Sequence, residues 1–172
     1  DVEGKGLYQS ASNSDVKSMK RLLEAYRGHD FMEYQNNSKN TPLLMACNVS
    51  REKLSLDMVT MLLDAGAKIE HKNKQGMTAL MSASKRGFPS VVKLLLDRGA
   101  DYNETDAKGK KAVQMSRSND VKEIFAEMDK FTGTNLSQSS LYVMHSSNLS
   151  KQMFTRSHAT QAILNLQTNQ LI

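Results

Sequence analysis

The sequence predicts an all-α fold: a solenoid of about four helix-turn-helix units joined by short turn or hairpin fingers, followed by a low-complexity C-terminal tail. Three observations predict it. Met61-Leu62-Leu63-Asp64-Ala65-Gly66-Ala67 recurs 33 residues later as Leu94-Leu95-Leu96-Asp97-Arg98-Gly99-Ala100. Upstream, Thr41-Pro42-Leu43-Leu44-Met45-Ala46 is answered by Thr78-Ala79-Leu80-Met81-Ser82-Ala83. Self-similarity at this period marks stacked units, each too small to bury its own apolar face. Third, 172 residues with 39% hydrophobic and 24% charged content suit one domain with a tail.

The first unit, about residues 1–35, places Gly4, Leu7 and Ala11 ahead of Met19, Leu22 and Leu23 at helical spacing. A long connection, Arg27–Asn40, follows; it exceeds its counterpart after Leu63 by three residues and carries Phe31 and Tyr34. Those aromatics either anchor a partner or tuck over the first unit. In the second unit, about 36–72, Thr41 and Pro42 open a helix as cap and first residue. Leu43, Leu44 and Ala46 fill it, Val59, Leu62 and Leu63 line a second helix, and Gly66 stops it. The distance from Ala46 to Val59 exceeds that from Ala83 to Val92 by four residues, so an insertion lies within Cys47–Leu56.

The third unit, about 73–105, is the clearest. Asn73-Lys74-Gln75-Gly76-Met77 is a turn signal, and Thr78 caps a helix whose inward residues are Leu80 and Ala83. Gly87-Phe88-Pro89 breaks that helix, and Pro89 suits the first turn of the next. Val91, Val92, Leu95 and Leu96 share one face before Gly99 ends the helix. The fourth unit, about 106–131, repeats the turn as Asp106-Ala107-Lys108-Gly109 and shortens its helical pair around Val113, Val121, Ile124 and Phe125. The charged run Lys122, Glu123, Glu127, Asp129 and Lys130 gives this terminal unit the polar outer face that an end repeat needs. Residues 132–172 contain no Asp or Glu, two basic residues (Lys151 and Arg156), and Ser, Thr, Asn or Gln at about half of the positions. Such a segment is not expected to build a core. Its islands, Leu141–Met144 and Ala159–Leu166, read as docking peptides or plain extension, and Ser157 after Arg156 is a candidate phosphorylation site.

The pattern resembles the ankyrin-repeat family, whose motif runs roughly D-x-x-G-x-T-P-L-H-x-A-A, then G, V-x-x-L-L and G-A-D-x-N. Gly76, Thr78, Leu80, Ala83, Gly87, Val92, Leu95, Leu96, Gly99, Ala100, Asp101 and Asn103 match in one repeat. Thr41, Pro42, Leu43, Ala46, Val59, Leu62, Leu63, Gly66 and Ala67 match in the one before. The resemblance covers about Gly4 to Phe131. Leu44, Met81 and Gln114 stand where the family has His, so the Thr–His link between repeats is absent. Lys39 replaces the Gly before Thr-Pro-Leu, and Lys111 replaces the Thr of the last unit. A weaker stack, held mainly by apolar contact, is the expectation.

By that resemblance the chain is an intracellular protein–protein interaction module, a scaffold or adaptor, and not an enzyme. It binds through turn tips and the exposed side of each first helix. The corresponding positions are Asn37, Ser38, Asn40, Asn48 and Val49 in the second unit. They are Lys74, Gln75, Met77, Lys85 and Arg86 in the third, and Ala107, Lys108, Lys110, Ser118 and Asn119 in the fourth. Together with Lys111 these place a basic patch on one side, suited to an acidic protein segment; a solvated surface is the competing reading. Met45 and Met77 are adaptable contacts or packing. The alternatives are an ankyrin-type transcriptional regulator, or the substrate-recruiting region of a larger enzyme.

No cofactor, small molecule or metal is expected. His29, His71, His145 and His158 show no ligand spacing, no nucleophile-elbow pattern accompanies a Ser, and the glycines make turns rather than a phosphate cradle. Cys47, the single cysteine, excludes a disulfide framework and reads as a small buried hydrophobe. It also favours a cytoplasmic or nuclear location, in which the five Asn-x-Ser/Thr triplets are chance matches. Net charge is +5, with a pI near 9.3. That favours acidic partners without forming the concentrated stripe that marks direct nucleic-acid binding. No run reaches the ~18 apolar residues of a membrane span. The start at Asp1-Val2-Glu3-Gly4, without a signal pattern, suggests a piece of a longer protein.

Overall fold

The computed structural model describes residues 2–26 and 30–132. Four helical pairs follow one another: α1 (Val2–Ser12) with α2 (Val16–Ala25), α3 (Pro42–Ala46) with α4 (Glu52–Asp64), α5 (Ala79–Arg86) with α6 (Pro89–Asp97), and α7 (Ala112–Met115) with α8 (Asn119–Thr132). The first helices form one row, α1 on α3 on α5 on α7; the second form another, α2 on α4 on α6 on α8. The predicted all-α solenoid is what the chain adopts. Extended pairing among the described residues is an isolated bridge between Thr105 and Lys111, at the base of the last finger.

Local chemistry sets the helix ends. The hydroxyls of Thr41 and Thr78 accept from the Leu44 and Met81 N–H groups, capping α3 and α5. Pro42 and Pro89 take the first helical positions, where a missing N–H is harmless. Gly66 and Gly99 close α4 and α6 with φ of 95° and 90°. Lys111 cannot cap as Thr does. Instead Gln114 reaches back and its Oε1 accepts from the Lys111 N–H at 2.9 Å, half of a capping box.

The predicted insertion is resolved into two changes. α4 gains a turn at its start relative to α6, while α3 ends early and Cys47–Arg51 bridge the pair. Glu52, in the added turn, has its Oε1 accept from the Ser90 N–H at 2.7 Å. This matters because Phe88, at the start of α6, provides no side-chain cap. Among the described residues of this long connection, Asp30–Glu33 form a 3-10 turn.

The core is continuous from Leu7 and Ala11 to Ile124 and Phe125, with Leu62, Leu80, Val92 and Leu95 fully enclosed. Leu44 and Met81, at the family's His position, are buried, so apolar packing replaces the hydrogen bond there. Cys47 is fully buried as expected, and burial pushes its thiol well above the ordinary range. Beside this apolar contact, hydrogen bonds also join neighbouring repeats.

Candidate partner-binding surface

Each finger is closed by one Asx side chain. Asn36 Oδ1 accepts from Ser38 N and Asn40 N, Asn73 Oδ1 from Gln75 N and Met77 N, and Asp106 Oδ1 from Lys108 N and Lys110 N, all at 2.8–3.0 Å. An amide has a donor left over, and both asparagines use it on the preceding repeat. Asn36 Nδ2 donates to the Tyr8 hydroxyl at 2.7 Å, and Asn73 Nδ2 to Asn40 Oδ1 at 2.8 Å. Backbone bonds join the tips themselves: Lys74 N donates to Ser38 O, and Ala107 N to Gln75 O, each at 3.0 Å. The fingers therefore form a hydrogen-bonded row. Gly76 permits the last of these approaches. Its φ is 73°, and a Cβ there would lie 2.6 Å from Ala107 N. Lys39 takes the equivalent left-handed position in the second finger, with φ of 58°, and its carbonyl accepts from His71 Nε2 at 2.8 Å.

Carboxylates reinforce the row from behind. Glu33 accepts from Lys68 N at 3.0 Å and Glu70 from Asp101 N at 2.8 Å, one repeat on in each case. Desolvation first, then the nearby Asp101 and Glu104 charges, raise the Glu70 carboxyl above the usual range. Lys72 pairs with Glu104 and, by hydrogen bond and charge, holds that carboxyl low.

The predicted contact residues separate into distinct places. Lys74, Gln75, Lys108 and Lys110 lie on the adjoining fingers, all exposed. Lys85 and Arg86 end α5, at the opposite rim. α5, which runs from the finger side to that rim, has eight residues, about 12 Å at the 1.5 Å rise of an α-helix. The single basic patch expected from the sequence is thus two cationic edges.

Three predicted contacts have structural duties. Arg86 donates from Nε and Nη2 to the Val49 carbonyl, at 3.0 and 2.6 Å, and its guanidinium sits over the Phe88 ring at 5.7 Å. Val49 was expected at the surface but is 7% exposed, because the insertion turns it inward. Lys111 Nζ donates to Asn103 Oδ1 at 2.9 Å, beside the last finger. Met77 and Met45 are half-buried against the core, each with part of the side chain open. By contrast, Lys74, Lys85, Lys108 and Lys110 enter no ion pair among the described residues.

Tyr34 packs on Tyr8, ring centroids 5.7 Å apart, so it tucks over the first repeat rather than standing out as an anchor. The side chain of Phe31, together with His29, His145, Ser157, His158 and the islands of 133–172, lies outside the described residues. Two cations were missed. Arg51 lies two residues from Val49, and Arg117 adjoins Ser118, whose Cβ is 3.3 Å from where a Gly87 Cβ would stand. Both are exposed at the α5 end of the surface. Their 33-residue equivalents carry no charge motif, so only the packing of consecutive loops brings them there. Among the described residues no group of three His, Cys, Asp or Glu gathers to hold a metal, and no helix is long and apolar enough to cross a membrane.

The arrangement of paired helices with a finger row matches what the family comparison finds: a model of ankyrin repeats, in three copies, matches residues 7–106. The chain belongs to the ankyrin-repeat family. The match stops at Asp106, at the start of the unit in which Lys111 replaces Thr and α7 shrinks to four residues. Among similar proteins, the human "Ankyrin repeat and KH domain-containing protein 1" is 42% identical over 66 residues, covering 38% of this chain and 2% of that protein. The Drosophila melanogaster "Ankyrin repeat and KH domain-containing protein mask" gives the same identity and coverage. The "Putative E3 ubiquitin-protein ligase XBAT34" of Arabidopsis thaliana is 32% identical over 133 residues, covering 74% of this chain and 34% of that protein. The chain thus spans only a minor part of each of these three relatives. Ankyrin repeats bind other proteins.

Proposed function

We propose that this ankyrin stack is a non-enzymatic scaffold or adaptor of the cytoplasm or nucleus, which holds an acidic segment of another protein against its concave face and finger tips. The observation that carries the reading is the set of unpaired ammonium groups at Lys74, Lys85, Lys108 and Lys110. Within these repeats carboxylates are available, yet they are spent on backbone N–H groups (Glu33, Glu52, Glu70, Asp106) or on Lys72 and Arg98. Cations outside any salt bridge among the described residues steer an acidic partner mainly through the association rate. Gln75 and Met77 supply neutral contact beside them, and Lys111 adds charge at the end of the row.

A photo-reactive residue placed at Met77 or Lys108 in cells is expected to capture a partner that the same residue at Lys93 or Lys122, on the outer helices, does not. Capture only from the outer helices would overturn the reading. A second reading is favoured by the likeness to the Arabidopsis protein, named as an E3 ubiquitin-protein ligase: the stack recruits the substrate of a larger enzyme. Ubiquitination of the captured partner that is lost when residues 2–132 are deleted from the full-length protein would favour it. Unchanged ubiquitination would remove it.

A further inference from the structure

Over the second to fourth repeats, two cationic edges lie on either side of an uncharged floor formed by α3, α7 and α5 as far as Ser84. One edge is the finger row, with Lys74, Lys108 and Lys110. The other is the loop rim, with Arg51, Lys85 and Arg117. The floor belongs to the inner row of helices, whose first member, α1, carries Glu3 and Lys5. Met45 and Met115 hold equivalent places on α3 and α7, half-buried, with the uncharged Ser82 between them on α5 and Met77 at the finger base.

We propose that the occupant of this surface is an amphipathic α-helix with acidic residues along both flanks, lying along the stack axis. This rests on the partner-binding reading above and gives it a shape. The width argues for it: α5, which runs from the finger side to the loop side, is about 12 Å long over its eight residues, and an α-helix with its side chains is about 10–12 Å across. A single extended segment occupies about 5 Å in the plane of neighbouring strands and would meet one rim at a time. The floor argues for it as well, since flexible thioethers accommodate an apolar helical stripe without demanding one shape. Four inner helices at about 8–10 Å spacing offer about 30 Å, the length of about 20 helical residues.

The surface also has a direction. Where the third and fourth repeats place Lys74, Lys85, Lys108 and Lys110, the second places Asn37, Ser38, Asn40 and Asn48 at corresponding positions. The acidic residues of the bound helix are therefore densest at the end lying over the third and fourth repeats, with Arg51 as the rim cation of the second.

The test uses the 172-residue chain and two synthetic peptides of about 20 residues. One carries a Leu/Met stripe with Glu on both flanks of one half and is locked helical by side-chain lactams. The other has the same residues with two central prolines. Fluorescence anisotropy is expected to show the helical peptide binding about tenfold tighter, because its ordering cost is already met. Lys108→Glu with Lys110→Glu, and separately Lys85→Glu with Arg117→Glu, are each expected to weaken it about fivefold at low salt. These side chains are exposed and unpaired, and unchanged thermal melts check that the variants fold. Equal affinity for the two peptides, or binding by neither, overturns the helical occupant. Sensitivity to the finger pair alone overturns the two-flanked geometry while leaving an acidic partner on the fingers intact. Failure of photo-capture at Met77 and Lys108 is the separate result that would remove the partner-binding reading itself.

Discussion

Arg86 shows how a side chain can look like a ligand contact and serve the fold. Its two N–H groups satisfy the carbonyl of Val49, a residue that the insertion has buried. Arg86→Met keeps much of the aliphatic stem over Phe88 but strands that carbonyl, at an expected cost of about 1–3 kcal/mol by urea denaturation. Arg86→Lys is expected to recover little, since an ammonium does not present the paired guanidinium donors. Asp106 gives a second test. The Lys110 and Lys108 N–H groups, with the charges of those lysines, hold its carboxyl below the ordinary aspartate value of 3.8. A group lowered in this way contributes stability above its unfolded value and loses it as pH falls through the folded one. The last finger is therefore expected to loosen in acid below about pH 4. Asp106→Asn keeps the acceptor, as Asn36 and Asn73 do, and is expected to reduce that acid sensitivity in melts taken from pH 3 to about pH 6. The raised carboxyl of Glu70 acts in the opposite sense, favouring the fold at low pH and losing that contribution as pH rises through its folded value.

At the scale of elements, the insertion between α3 and α4 is the feature that distinguishes this stack from a regular array. It lengthens α4 by a turn, and that turn supplies the carboxylate that caps α6. Ser55, also near the start of α4, fastens the helix to α3 by donating from Oγ to the Ala46 carbonyl at 2.8 Å. Removing the cap by Glu52→Ala is expected to cost about 1 kcal/mol. Hydrogen exchange should show faster exchange at the first turn of α6 and no change in α8. The finger row is the other composite element. Its asparagines are not interchangeable with the family's aspartate, because an aspartate closes its own finger but has no amide to donate to the previous one. The Tyr8–Asn36 and Asn40–Asn73 links depend on that difference.

At the scale of the whole molecule, stability passes between neighbouring repeats, so the middle units carry most of it. Leu95 is fully buried in α6, which packs on both α4 and α8. Leu95→Ala is expected to cost about 2–5 kcal/mol, read as a lowered urea midpoint, and to loosen both neighbours. The sequence by itself determined the repeat period, the paired helices, their Thr, Pro and Gly boundaries, the buried leucines and valines, and the burial of Cys47. These follow from local conformational preference and apolar spacing, which one stretch of chain contains in full. Tertiary structure alone decided the rest. It turned Val49 inward and claimed Arg86, split the basic residues between two rims, brought the loops that carry Arg51 and Arg117 to the end of α5, and used each spare asparagine amide on the repeat before. Such outcomes depend on which backbone groups of one repeat face the side chains of the next. That pairing is set by the stacking geometry across 28 to 37 residues, and no local pattern encodes it.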